Sequence, residues 1–274
     1  MNNDESGDVK MEIGFIGCGN MANAIMKGII NNHLVPANEI IGSDLSMDGL
    51  NKVKNELGIN VTTDNKEVVS KSEIIFLSVK PQFYKSVIAE IKDSVKDSQI
   101  IVTIAPGKSM EWLESKFGKQ VKIIRTMPNT PALVGEGITA ACCNQYVTQK
   151  ELDYVVSILK GFGKCEVLSE HLMDVVVSVS GSSPAYVFMF IEAMADAAVA
   201  DGMPRTLAYE FAAQAVLGSA KMVLETGKHP AELKDMVCSP GGTTIEAVRV
   251  LEQKGMRSAV IEAMKACTKK AKGM

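Results

Sequence analysis

The six cysteines of this chain, at positions 18, 142, 143, 165, 238 and 267, include no Cys-x-x-Cys pair. The three histidines, at 33, 171 and 229, are equally dispersed. Neither set has metal-ligand spacing, so no metal is expected. The thiols read as reduced, in a reducing, cytoplasmic compartment. A basic surplus is also missing, since the formal net charge is −3. That argues against nucleic acid or an anionic membrane as partner. The first ten residues are polar and acidic, with no basic stretch and no apolar core. They do not read as a signal peptide, and residues 1–10 are expected to form a disordered arm. Internal repeats and low-complexity tracts are absent as well.

What is there suits a folded globular chain. Of 274 residues, 46% are hydrophobic and 22% charged, enough for one large domain or two ordinary ones. An apolar strand over 11–16 runs into Gly17-Cys18-Gly19-Asn20-Met21-Ala22 and then an apolar-periodic helix to about Ile30. The spacing is G-x-G-x-x-A, between a strand and a helix, which is the context of a dinucleotide turn. Gly17 permits the tight turn. Gly19 lets a pyrophosphate approach the backbone, and Ala22 lets the helix pack close. A second strand over 39–43 ends at Asp44, placed to bond ribose hydroxyls or to cap the helix that starts near Met47. Strands are further expected at 74–79, 100–105, 121–126, 138–143 and 165–168, and helices at 84–91, 110–117 and 150–160. That alternation means a mostly parallel, doubly wound sheet, an α/β dinucleotide-binding domain over 11–168. Ser78-Val79-Lys80-Pro81 and Met127-Pro128-Asn129-Thr130-Pro131 follow strands, where ligands of such sheets lie.

After about His171 no strand pattern recurs. A helix over 184–201 is apolar on nearly every face, so it should be buried. It reads as too short for a membrane span and carries Glu192 and Asp196. Helices at 206–225, 230–237 and 256–272 complete an all-helical region, 169–274. Between the last two lies Cys238-Ser239-Pro240-Gly241-Gly242-Thr243-Thr244, entering a helix with Ile245, Val248 and Leu251 on one face. Two readings of this turn stand. It can be a plain capped helix start. It can also be an anion cradle, with backbone N–H groups and the hydroxyls of Ser239, Thr243 and Thr244 facing a carboxylate. The turn lacks the lysine of a phosphate loop.

Several segments together resemble pyrroline-5-carboxylate reductase. They are Gly14-Phe15-Ile16-Gly17-Cys18-Gly19-Asn20-Met21-Ala22, Ser78-Val79-Lys80-Pro81, Arg125-Thr126-Met127-Pro128-Asn129-Thr130-Pro131, Ser180-Gly181-Ser182-Ser183-Pro184-Ala185-Tyr186 and, above all, residues 235–252. The resemblance implies a Rossmann-like domain followed by a helical substrate-binding and dimerisation domain. It implies reduction of 1-pyrroline-5-carboxylate to L-proline with NADPH or NADH. Ser239, Gly241, Gly242, Thr243 and Thr244 would hold the substrate carboxylate, and Thr244 would meet the ring nitrogen as the catalytic residue. Gly17, Cys18, Gly19, Asn20, Met21, Asp44, Ser46, Asn65, Ser78, Val79, Lys80, Pro81 and Asn129 would contact the cofactor. The resemblance also implies homodimers, and often rings of five dimers. One departure is that no Arg follows the second strand in Asp44-Leu45-Ser46-Met47. Asp44 would repel a 2′-phosphate, so NADH is expected to serve at least as well as NADPH.

Related alcohol dehydrogenases of this two-domain plan resemble one another in a catalytic lysine on the interdomain helix. From Gly181 to Asp201 this chain has none. A non-catalytic dinucleotide-binding regulator would need no organised carboxylate turn.

Overall fold

The computed structural model describes residues 12–273, so the expected arm at 1–10 lies outside the described residues. The first part alternates strand and helix: β1 (Ile13–Ile16), α1 (Asn20–Asn31), β2 (Ile40–Ser43), α2 (Met47–Leu57), β3 (Asn60–Thr62), α3 (Asn65–Lys71) and β4 (Ile74–Leu77). It continues with α4 (Tyr84–Ile91), β5 (Ile100–Thr103), α5 (Met110–Phe117), β6 (Lys122–Met127), β7 (Gly137–Cys143), α6 (Gln149–Leu159) and β8 (Gly163–Val167). The eight strands form one sheet in the order β3-β2-β1-β4-β5-β6-β7-β8, parallel except for the β6–β7 pair. The α/β, doubly wound expectation holds.

Two elements are additions to the sequence reading, β3 and α3. β3 is three half-buried residues at the sheet edge, too short to show alternation. α3 announces itself only by Asp64, which accepts the Lys66 N–H as its cap.

The strands are apolar on both faces because helices cover both. Ile13, Phe15, Ile74, Phe76, Ile100, Val102 and Ile124 join one buried cluster. Their neighbours Ile16, Ile75, Leu77, Ile101 and Ile123 join another, with Tyr84 and Ile88 of α4. Phe15 and Phe76 stand in register on β1 and β4 and stack at 4.8 Å between centroids. These central strands therefore bring the ends of β1, β2 and β4 together.

Helices follow: α7 (Met173–Val176), a π-turn at Val177–Gly181, then α8 (Ser183–Ala200), α9 (Arg205–Thr226), α10 (Pro230–Val237), α11 (Thr243–Gln253) and α12 (Met256–Lys272). Compactness divides the chain at Gly181 rather than Leu168, with Ser182–Cys267 as the second unit and the last turn of α12 counted with the first. The reason is local. Arg125 on β6 is only 4% exposed and pairs with Glu170 at 2.9 Å and Asp174 at 3.6 Å. Glu170 also accepts the Met110 N–H at 2.8 Å, and Met173 is buried with Met127, Ala140 and Cys142. Residues 170–181 are thus fastened to the sheet. Thr268 adds a hydrogen bond to Ser178 at 2.8 Å.

The expectation that the helix after His171 is too short to span a membrane is corrected. Through the π-turn, α7 continues into α8, and the run Glu170–Ala200 is 31 residues long, apolar enough to cross one by length and composition. The burial expected of α8 is corrected too. Within α8 and α9 only Ala195, Ala208 and Ala212 are buried. Phe188 is 61% exposed, Met189 69%, Phe211 61% and Leu224 67%. Burying one such side chain contributes about 1.5–3 kcal/mol. A helical unit with this many uncovered apolar side chains should complete its core with a second chain. Light scattering at assay concentration is expected to show a dimer or larger assembly. A stable, active monomer would contradict this.

Candidate dinucleotide cleft and carboxylate turn

The turn after β1 is seated by a backbone constraint. Gly17 has φ 98°, and a Cβ there would lie 2.8–2.9 Å from the Ser78 and Val79 backbone. Only glycine fits this approach. Around it, the Gly17 N–H donates to the Ser43 carbonyl at 2.8 Å and the Ser78 hydroxyl to the Gly17 carbonyl at 3.0 Å. Gly19 is the N-cap of α1, with no side-chain cap, and a Cβ there would meet nothing within 4 Å. The turn therefore presents open backbone at the positive end of a twelve-residue helix.

Asp44 sits beside this turn. One carboxylate oxygen accepts the Cys18 N–H at 2.9 Å and the other the Ser46 N–H at 3.1 Å. Asp44 is not the cap of α2. Ser46 is, its hydroxyl accepting the Gly49 N–H at 3.1 Å. Asn65 extends the array, accepting from the Ser43 hydroxyl at 2.7 Å and donating to Glu90 at 2.9 Å. Cys18 faces inward. Burial first, and the Asp44 charge second, push its thiol up to about 12.

These groups border a cleft of about 410 Å³ at the carboxyl ends of the strands. Of the expected cofactor residues, Gly17, Gly19, Asp44, Asn65, Ser78, Val79 and Lys80 line it. Cys18, Asn20, Met21, Ser46 and Pro81 adjoin them in the chain without lining it, and Asn129 is engaged elsewhere. The Asn129 side chain donates to the Ser180 carbonyl at 3.1 Å and accepts the Ile138 N–H at 2.9 Å, tying the end of β6 to β7 and the π-turn. Residues the sequence reading did not single out also line the cleft, among them Leu45, Phe83, Val87 and Glu90. Phe83 and Leu45 are apolar and exposed, Leu45 to 93%. Such exposure is invisible to a pattern of periodicity. A larger opening of about 570 Å³ lies where β4 and β5 begin, beside Glu73, Ile74, Gln99 and Ile100. Ligands of doubly wound sheets bind at the opposite end, so the smaller cleft is the candidate site. Open backbone at Gly19, a helix N-terminus and an anchored carboxylate fit a pyrophosphate and a ribose.

The second unit carries the other candidate. In the turn before α11, Gly241 has φ 67° and the Gly242 N–H donates to the Ser239 carbonyl at 3.1 Å. Gly242 is the N-cap, and no side chain caps the helix. A Cβ on Gly242 would fall 2.6 Å from the Ser239 hydroxyl oxygen. The first-turn N–H groups, at Thr243, Thr244 and Ile245, are thus left for a guest. Helices α2, α3, α5 and α6 are instead closed by Ser46, Asp64, Ser109 and Thr148. Glu246, the acidic residue of the first turn, is paired with Arg249 at 2.6 Å, which holds its carboxyl below the usual range. Among the described residues, no cluster of His, Cys, Asp or Glu could hold a metal ion.

Fold, glycine turn and anchored acid define a dinucleotide-dependent oxidoreductase of the doubly wound class. Residues 170–274 match the family model described as pyrroline-5-carboxylate reductase dimerisation, and residues 12–107 one described as NADP oxidoreductase, coenzyme F420-dependent. Pyrroline-5-carboxylate reductase of Escherichia coli K12 is 53% identical, the alignment covering 96% of this chain and 98% of that protein. The enzyme of Methanosarcina acetivorans is 41% identical over 95% and 97%. The structure of the Plasmodium falciparum enzyme with NADP bound superposes with a TM-score of 0.88 at 32% identity, covering 97% and 99%. The chain belongs to the pyrroline-5-carboxylate reductase family.

Two outcomes follow from the cleft. At pH 8 a thiol with a pKa near 12 is thiolate in only roughly one part in 10⁴. Iodoacetamide should leave Cys18 unmodified in the folded protein, as read by peptide mass mapping; fast alkylation would contradict the geometry. Gly17→Ala should cost about 1–3 kcal/mol in urea unfolding and weaken dinucleotide binding, since the turn must shift off the Ser78 backbone.

Proposed function

We propose that this chain reduces 1-pyrroline-5-carboxylate to L-proline with NAD(P)H, the last step of proline biosynthesis. The observation that carries the reading is the uncapped start of α11 behind Gly241 and Gly242, in a chain that also has a dinucleotide cleft. When bound, the reduced nicotinamide supplies a hydride to the imine carbon. The ring nitrogen takes a proton, so the C=N bond becomes the C–N bond of proline. A cyclic imine can be protonated near neutral pH, so no strong protein acid is needed.

The residues of the turn then bind and orient. The N–H groups of Thr243, Thr244 and Ile245 meet the substrate carboxylate, with the Ser239 and Thr243 hydroxyls beside them. Thr244 offers its hydroxyl to the ring nitrogen. Each hydrogen bond to a charged group contributes about 1.5–3 kcal/mol. The helix end adds about 0.3–1 kcal/mol, or ~2 when partly buried. Two or three such donors suffice to orient a five-membered ring, and orientation is the main contribution of the protein. In the cleft, Gly17, Gly19, Asp44, Asn65, Ser78, Val79 and Lys80 hold the cofactor; Cys18, Asn20, Met21, Ser46, Pro81 and Asn129 shape the surrounding loops.

The helical region makes this a homo-oligomer, in line with its dimerisation model. A ring of five dimers is the larger assembly we propose, and a mass from light scattering separates the two. The apolar run Glu170–Ala200 faces protein in this reading, not lipid. Six free thiols suit a reducing compartment, and we place the enzyme in the cytoplasm.

Thr244→Ala tests the assignment. It should lower kcat/KM about ten- to a thousandfold, or ~1.4–4 kcal/mol, with dinucleotide binding unchanged. The assay is NAD(P)H absorbance decay on adding pyrroline-5-carboxylate. Unaltered turnover would remove Thr244 from the reaction.

A further inference from the structure

The cleft carries more negative charge than the glycine turn requires. Its lining holds two carboxylates, Asp44 and Glu90, and one ammonium, Lys80. Asp44 is held at both oxygens by backbone N–H groups, from Cys18 and Ser46, so it cannot swing away from the turn. Each oxygen keeps a second lone pair, which a ribose hydroxyl can use. Glu90 is held by the Asn65 amide at 2.9 Å, and Asn65 by the Ser43 hydroxyl, next in the chain to Asp44. Ser43, Asn65 and Glu90 thus form one hydrogen-bonded row running from the end of β2 to α4.

We propose that Asp44 and Glu90 together make this cleft select NADH over NADPH. The inference rests on the dinucleotide reading above and adds a second carboxylate, on α4, to the acid that ends β2. NADPH differs by a phosphate on the adenosine ribose, carrying about −1.5 to −2 charges at pH 7. The residue that ends the second strand is the one that meets this ribose. Here that residue is an anchored anion, with another anion linked to it through Asn65. Nothing nearby offsets them. No Lys or Arg occurs between Ser43 and Asn51. Ser46 caps α2 and does not line the cleft. Lys80 is the single cation of the lining, and it follows β4 rather than β2.

The test is binding without substrate, which separates it from the substrate reading. The full-length protein is titrated with NADH and with NADPH, following nicotinamide fluorescence. The wild type should bind NADH more tightly. Asp44→Asn and Glu90→Gln keep acceptors for the Cys18 N–H and the Asn65 amide while removing charge. Each should shift the ratio of dissociation constants toward NADPH by roughly five- to thirtyfold. Glu90 is exposed, so Glu90→Gln carries the test if Asp44→Asn fails to fold. Tighter NADPH binding by the wild type, with the ratio unmoved in Glu90→Gln, overturns the proposal and assigns the choice to Lys80. Failure of the wild type to bind either dinucleotide overturns it together with the cofactor reading. Loss of pyrroline-5-carboxylate turnover with intact, NADH-selective binding would instead support it while removing the substrate reading.

Discussion

The contact between Gly17 and the backbone of Ser78 and Val79 governs the cleft. It brings the turn after β1 within van der Waals distance of the segment after β4, with no side chain between them. Ser78 then fixes that turn from one side and the Ser43 carbonyl from the other. Three strand ends, from β2, β1 and β4, are drawn into one rim. The strand order makes this possible, because β1 lies between β2 and β4 in the sheet. Apolar packing on both faces holds those strands, and the stacked Phe15 and Phe76 sit directly behind the rim.

A second constraint concerns helix ends. Most helices of the first unit spend a Ser, Thr or Asp oxygen on their first turn, which leaves nothing for a ligand. α1 and α11 both begin after glycine and have no such oxygen. A helix end left open costs stability unless something else fills it. In this family a dinucleotide and a carboxylate are the guests to expect, and both are anions. The negative charge of the protein itself is kept off these ends or neutralised: α1 has no acidic residue in its first turn, and Glu246 on α11 is paired with Arg249.

The helical unit follows different physics from the sheet. The sheet closes its own core, whereas α8 and α9 bury only alanines among themselves and leave phenylalanine, methionine and leucine uncovered. Such a unit is stable in company. The buried Arg125, by contrast, ties the segment before α8 to β6 through Glu170 and Asp174. Removing either side of that pairing would leave charge facing a low-dielectric region.

Much of this was legible in the sequence. The glycine spacing after an apolar strand, the alternation of strands and helices, and the Pro-Gly-Gly turn before α11 are local patterns. Local patterns are set by backbone sterics and by periodicity, which residue order alone determines. The bounds of α10 and α12 follow for the same reason, since proline, glycine and apolar spacing mark them. What only the tertiary structure decided depends on residues far apart in the chain. Asp44 could have capped α2 or faced a ribose; the choice was made by the Cys18 N–H, 26 residues away, while Ser46 took the cap. Glu90 and Phe83 entered the cleft because α4 packs beside α3, a contact no short-range pattern encodes. The apolar helix after His171 read as buried, since apolarity states that a surface must be covered. Whether its own chain covers it is a question of packing, and here the chain does not.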